Sequence, residues 1–117
     1  MTGVPLTVYY DGACPVCRRE IAGYRQMRGA SGMRWVDVAT CERPDLGEGL
    51  DRKRALDRFH VRLTDGRLVS GASAFIAVWR DLPALGWLVH LFDNPPGRWM
   101  LNIVYAAFLR ARPLWRT

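Results

Sequence analysis

The sequence predicts an α/β fold built on a four-stranded mixed sheet, and three of its features carry that prediction. A β-branched and aromatic run, Leu6–Tyr10, is followed by a stretch of helical period and then by a second strand-like run, Arg34–Ala39. Strand, helix and strand thus fit within about thirty residues, the length of a βαβ unit with a right-handed crossover. Further on, Asp65-Gly66 separates two short alternating segments, His60–Thr64 and Arg67–Ser70, which together read as a hairpin.

Taken in order, Leu6–Tyr10 ends at the turn pair Asp11-Gly12. Pro15–Arg28 reads as a helix because Cys17, Ile21 and Tyr24 fall at i, i+4 and i+7, with Arg18, Arg19 and Gln26 off that stripe. Ser31-Gly32 interrupts the pattern before the second strand. Thr40–Gly49, with Pro44, Gly47 and Gly49, reads as a loop, and Asp51–Phe59 as a helix with Ala55, Leu56 and Phe59 inward. After the hairpin, Ala72, Phe75, Ile76 and Trp79 mark a helix that Pro83 closes. Two apolar runs follow, Leu82–Phe92 and Trp99–Leu109, separated by Pro95-Pro96-Gly97. Each is about half the roughly 20 residues a membrane span needs, so both read as helices of a compact fold. In the last, Met100, Ile103, Val104, Ala107 and Ala111 keep a helical stripe. The order β-α-β-α-β-β-α, with two C-terminal helices added, is that of the thioredoxin/glutaredoxin core, a three-layer sandwich. Residues 1–117 read as one such domain.

The composition suits that size. Half of the 117 residues are hydrophobic and 24% are charged, enough to bury a core without a metal or a disulfide. The formal charge is +6, but its 16 arginines and one lysine are scattered rather than gathered in a basic-aromatic motif, so no nucleic-acid partner is expected. Net positive charge also favours acidic partners or membrane headgroups. Met1–Asp11 has no basic start, apolar stretch or cleavage site, so a cytoplasmic monomer is expected. A lasting structural disulfide is out of place there, which leaves the three cysteines to redox chemistry, metal binding or core filling.

Asp11-Gly-Ala-Cys14-Pro-Val-Cys17 lies where the first strand hands over to the first helix. Proline suits the first helical position, because its missing N–H would be unpaired there anyway. Cys14 is then the N-cap and Cys17 the third helical residue, whose N–H an N-cap side chain accepts. A thiolate accepts better than a thiol, and the helix dipole adds about 0.3–1 kcal/mol in favour of negative charge at this end. Arg18, four residues after Cys14, opposes the dipole where it stands and is expected to support a Cys14 thiolate. Cys14 is expected at the open helix end as nucleophile. Cys17, sheltered against Ile21 and Tyr24, is expected as the resolving thiol.

With those residues stated, Tyr10-Asp11-Gly12-x-Cys14-x-x-Cys17 resembles the signature of the DCC family of thiol-disulfide oxidoreductases, named for its Asp, Cys and Cys. The likeness continues through Phe59-His60, Asp65-Gly66, Gly71-Ala72-Ser73-Ala74, Leu82-Pro83 and the closing Tyr105 to Arg112 segment. It implies that Asp11, Cys14 and Cys17 are the positions that matter; on the reading of the residues themselves, Gly12, Pro15, Arg18 and His60 are expected in support, with no cofactor or metal. The sequence departs from the family at Ser73, where an acid is common. It departs from thioredoxins at Phe59-His60, where those proteins carry a cis-proline before the third strand.

Each residue also has a plainer reading. Asp11 is foremost a turn residue before Gly12, although an ionised Asp near Cys17 would raise that thiol's pKa. His60 reads as a half-exposed strand start; facing Cys14, it would serve as acid, base or metal ligand. Cys41 reads as a loop or core residue, His90 as a packed side chain, and the Trp-rich tail as core and capping surface. Three functions stay open: an oxidoreductase acting on a protein or small-molecule thiol or disulfide, a metal module holding its ion through Cys14, Cys17, Cys41 and His60, and an interaction module whose C-terminal helices make peripheral membrane contact. The unpaired spacing of Cys41 ranks the metal set below the redox pair.

Overall fold

The structure, a computed structural model, describes residues 5–114. Thr7–Tyr10 forms β1, and Pro15–Arg25 forms α1, capped by Cys14. A short 3₁₀ turn leads into β2, Arg34–Asp37, which lies parallel to β1 with Val8 opposite Trp35. Arg43–Leu46 (α2) and Arg52–Asp57 (α3) cross over to β3, His60–Arg62, and β4, Leu68–Ser70. Ala72–Arg80 (α4), Gly86–Phe92 (α5) and Pro95–Ala111 (α6) complete the order. The sheet runs β2-β1-β3-β4, with β3 antiparallel to both its neighbours. This is the expected thioredoxin-like arrangement. Met1, which opens the segment read as lacking a leader, and Trp115, the last tryptophan of the tail, lie outside the described residues.

Strand alternation sends successive side chains to opposite faces of the sheet. On one face Val8 and Val61, both fully buried, pack with Ile21 and Tyr24 of α1 and with Ile76 and Trp79 of α4. Burial at this level stabilises by about 1.5–3 kcal/mol for each aliphatic side chain. On the other face Tyr9, Val36 and Val38 meet Leu46, Leu50 and Ala55. The buried Tyr9 hydroxyl donates to Leu46 O at 2.9 Å.

The hairpin turns where expected. The Asp65 carboxylate accepts from Arg67 N at 3.0 Å, and Gly66 takes φ 93°, a left-handed value that glycine adopts without strain. Several expectations are corrected. The loop predicted over 40–49 contains α2, which starts at Glu42 because the Asp45 carboxylate accepts the Glu42 N–H at 2.9 Å. His90 is exposed, because the short α5 turns Leu88, Val89 and Phe92 inward instead. The stripe named on the last helix faces outward: Met100, Ile103 and Val104 are exposed, while Leu101, Tyr105 and Phe108 turn inward. Trp87 and Trp99 are likewise exposed rather than part of a core. Among the described residues no helix is long and apolar enough to cross a membrane.

Candidate functional site

The turn between β1 and α1 builds the site. Asp11 Oδ1 accepts from Ala13 N at 3.0 Å, and Cys14 N donates to Asp11 O at 3.2 Å, which closes the turn. Asp37, at the end of β2, accepts from Gly12 N at 3.0 Å. A Cβ on Gly12 would stand 2.0 Å from that carboxylate, so any larger residue requires Asp37 or the turn to shift. Arg18 Nη1 donates to Gly12 O at 3.2 Å and braces the same turn.

Cys14 is the N-cap of α1, as expected, and its Sγ accepts from Cys17 N at 3.4 Å, with Pro15 opening the helix. The expected exposures are reversed. Cys14 is 0% exposed, while Cys17 is only half-buried. An N-cap position decides which N–H a side chain meets, not whether solvent reaches it, and here Cys14 is fully buried. The Cys17 thiol is pushed well above its ordinary range, first by burial, then by its hydrogen bond to Cys14 and by the charge on Cys14. The Asp11 charge pushes the same way, and the Arg112 guanidinium opposes it.

Two residues from the C-terminal end complete the surroundings, and neither was singled out from the sequence as part of the site. Arg112, just beyond α6, places Nη1 3.9 Å from Asp11 Oδ2 and donates through Nη2 to Leu56 O at 2.7 Å. Tyr105, buried in α6, accepts the Phe59 N–H through its hydroxyl. Burial raises its phenol to about 12. Cys17, Asp11, Arg112, Tyr105 and Phe59 line one cavity of about 30 Å³, enough for a water molecule. Beside it, and sharing Glu20, Phe75, Tyr105 and Phe108 with it, runs an apolar groove of about 380 Å³ bounded by Val16 and Val104. Loss of water around Glu20 raises its carboxyl above the ordinary range, although the Tyr24 hydroxyl donates to it at 2.9 Å.

His60 does not itself line that cavity. It is buried rather than half-exposed, opposite Tyr9 in the sheet, with Nδ1 2.8 Å from Arg58 O. Burial, and then the Arg54 and Arg58 charges, lower its pKa, so the ring is neutral and Nδ1 donates. Cys41 packs against the second core, with Sγ 4.0 Å from both Val38 O and Arg52 Nη1. Cys14, Cys17, Cys41 and His60 are therefore not gathered into a ligand set. Among the described residues no three Cys, His, Asp or Glu side chains form a group able to hold a metal.

The family model described as DCC1-like thiol-disulfide oxidoreductase matches residues 8–117. The chain belongs to that family. The match spans β1, the Asp11–Cys17 turn and the Tyr105 to Arg112 segment, which are the parts that meet around the cavity in this DCC1-like chain. A curated relative, "Uncharacterized protein At5g50100, chloroplastic" of Arabidopsis thaliana, is 28% identical over 109 residues. The alignment covers 92% of this chain and 50% of the relative, so the chain spans about half the length of that protein. No solved structure matches.

Proposed function

We propose that this DCC1-like chain is a thiol-disulfide oxidoreductase in which Cys14 is the nucleophile and Cys17 the resolving thiol. The observation that carries the reading is the firm hold on the Cys17 proton, beside a Cys14 sulfur that caps the helix. Cys17 keeps its proton because burial and a negative Cys14 both disfavour a second charge, and Cys14 Sγ accepts the Cys17 N–H. A free thiol of pKa about 8.5 is already a few per cent thiolate at neutral pH. A thiol held far above that value contributes almost none, which suits Cys17 to the resolving role. Exposure favours Cys17, but exchange rates depend on the thiolate as well as on access, and the raised Cys17 pKa supports Cys14 as the attacking sulfur.

In this reading the Cys14 thiolate attacks one sulfur of a disulfide R–S–S–R′, forming Cys14–S–S–R and releasing R′–S⁻, which takes a proton from solvent. Cys17 then gives its proton to Asp11 and attacks Cys14 Sγ, forming the Cys14–Cys17 disulfide and releasing R–S⁻. The pair loses two electrons and the substrate disulfide gains them. A dithiol reductant restores the pair. Burial of Asp11 beside Cys17 supports its role as proton acceptor, with Arg112 limiting the cost of its charge. Because Cys14 is covered at rest, substrate reaches it only when the first turn of α1 opens. The substrate is a protein or small-molecule disulfide. The cysteine usage suits a reducing compartment, the cytoplasm being the ordinary one.

Redox titration of the purified protein tests this reading. A single two-electron transition lost in both Cys14→Ser and Cys17→Ser, and kept in Cys41→Ser, is expected. A transition that survives in Cys14→Ser refutes it.

A further inference from the structure

We propose that the outward face of α6 docks on an anionic lipid surface. Trp99, Met100 and Ile103 project from the side of the helix opposite Leu101, Tyr105 and Phe108. Trp99 is 66% and Met100 53% exposed. Trp87 and Leu91 of α5, the helix packed against α6, are exposed as well. α6 is thus amphipathic twice over. One stripe closes the core, and a second apolar stripe is largely exposed among the described residues.

Charge favours one occupant. Asp93 is the single acidic residue between Gly86 and Leu114. Its carboxylate is already held by Arg80 at 2.6 Å and Arg98 at 2.8 Å. Arg110 is exposed seven residues after Ile103, on the same side of the helix, and the whole chain carries +6. Two copies meeting on this face would bring like charges together, whereas anionic headgroups would complement them. Apolar side chains entering the headgroup boundary, tryptophan at the interface and flanking arginine are what an interfacial helix uses. At 17 residues α6 lies on the surface rather than across it.

Flotation of the full chain with vesicles tests this, using phosphatidylcholine alone and phosphatidylcholine mixed with phosphatidylglycerol. Binding to the mixed vesicles is expected, with a blue shift of tryptophan emission and release at high salt. Met100→Glu/Ile103→Glu changes two exposed positions, and circular dichroism establishes that it folds. That variant should bind at least about tenfold more weakly, since each charge near such a surface is worth roughly 1 kcal/mol. It should still react with oxidised glutathione as the parent does, so the membrane result and the redox reading stand or fall separately. Equal partitioning onto neutral vesicles overturns the anionic assignment. Absence of binding at low salt overturns the proposal, as does a dimer that Met100→Glu/Ile103→Glu abolishes while vesicles stay unbound.

Discussion

Arg112 and Asp11 meet from opposite ends of the chain, Nη1 3.9 Å from Oδ2, with 15% and 3% of their side chains exposed. The contact ties the C-terminal end to the turn that presents the cysteines. Arg112→Ala leaves a buried carboxylate without its guanidinium and Leu56 O without a donor. We expect a loss of about 2 kcal/mol, the range for hydrogen bonds to charged groups, read by urea unfolding. We also expect a further rise of the Cys17 pKa, since Arg112 is the cation that lowers it. Arg112→Lys should restore part of both, and an unchanged Cys17 titration in Arg112→Ala would show that the guanidinium does not act on the thiol.

Tyr105→Phe removes the acceptor of the Phe59 N–H. The half-buried amide then lacks its partner, at a cost of about 1–3 kcal/mol. Hydrogen exchange at Phe59 should accelerate relative to amides of β1. Equal protection in both proteins would mean that the amide finds another partner.

Gly12→Ala forces a Cβ into the Asp37 carboxylate. Either the turn or the end of β2 must move, breaking the Gly12 and Ala39 hydrogen bonds to Asp37. A destabilisation of about 2 kcal/mol or more is expected, and thermal melting would reveal it. A variant as stable as the parent would mean that Asp37 is free to turn aside.

His60 gives the fold a dependence on pH. Its pKa is lowered from 6.5 in the folded chain, so the unfolded chain binds the proton more readily. The stability tied to the neutral ring is present above 6.5 and is lost as pH falls below it. Urea midpoints of the parent should therefore drop on acidification below pH 6.5 more than those of His60→Gln. Parallel profiles would show that the buried ring is not responsible.

What could be read from the sequence was local. Pro15 after Cys14 marked the cap, Cys17, Ile21 and Tyr24 marked the buried side of α1, and Asp65-Gly66 marked the hairpin. α2 is hidden in the sequence because Pro44 and Gly47 have the look of breakers, although Pro44 stands in the first turn of that helix, where proline is tolerated. The inward face of α6 is not evident from apolarity alone, because Met100 and Ile103 are as apolar as Leu101 and Phe108 but are exposed. Tyr105 and Arg112 are seven apart on one face with Leu101 and Phe108, and a polar pair within such a stripe was the signal available. The contact of Arg112 with Asp11 spans almost the whole chain, and no local pattern encodes it. The burial of Cys14 is likewise not given by its N-cap position.

The most direct test of Cys14 as nucleophile is the intact mass of the Cys14→Ser and Cys17→Ser variants after exposure to oxidised glutathione, each in a Cys41→Ser background. Without Cys17 the mixed disulfide on Cys14 has no internal escape, so Cys17→Ser should gain one glutathionyl group. Without Cys14 the remaining thiol has lost the negative neighbour that helped hold its proton, but it is still partly buried beside Asp11, and Cys14→Ser should stay largely unmodified. Modification of Cys14→Ser as fast as Cys17→Ser, or faster, would contradict the assignment and make the half-exposed Cys17 the attacking sulfur.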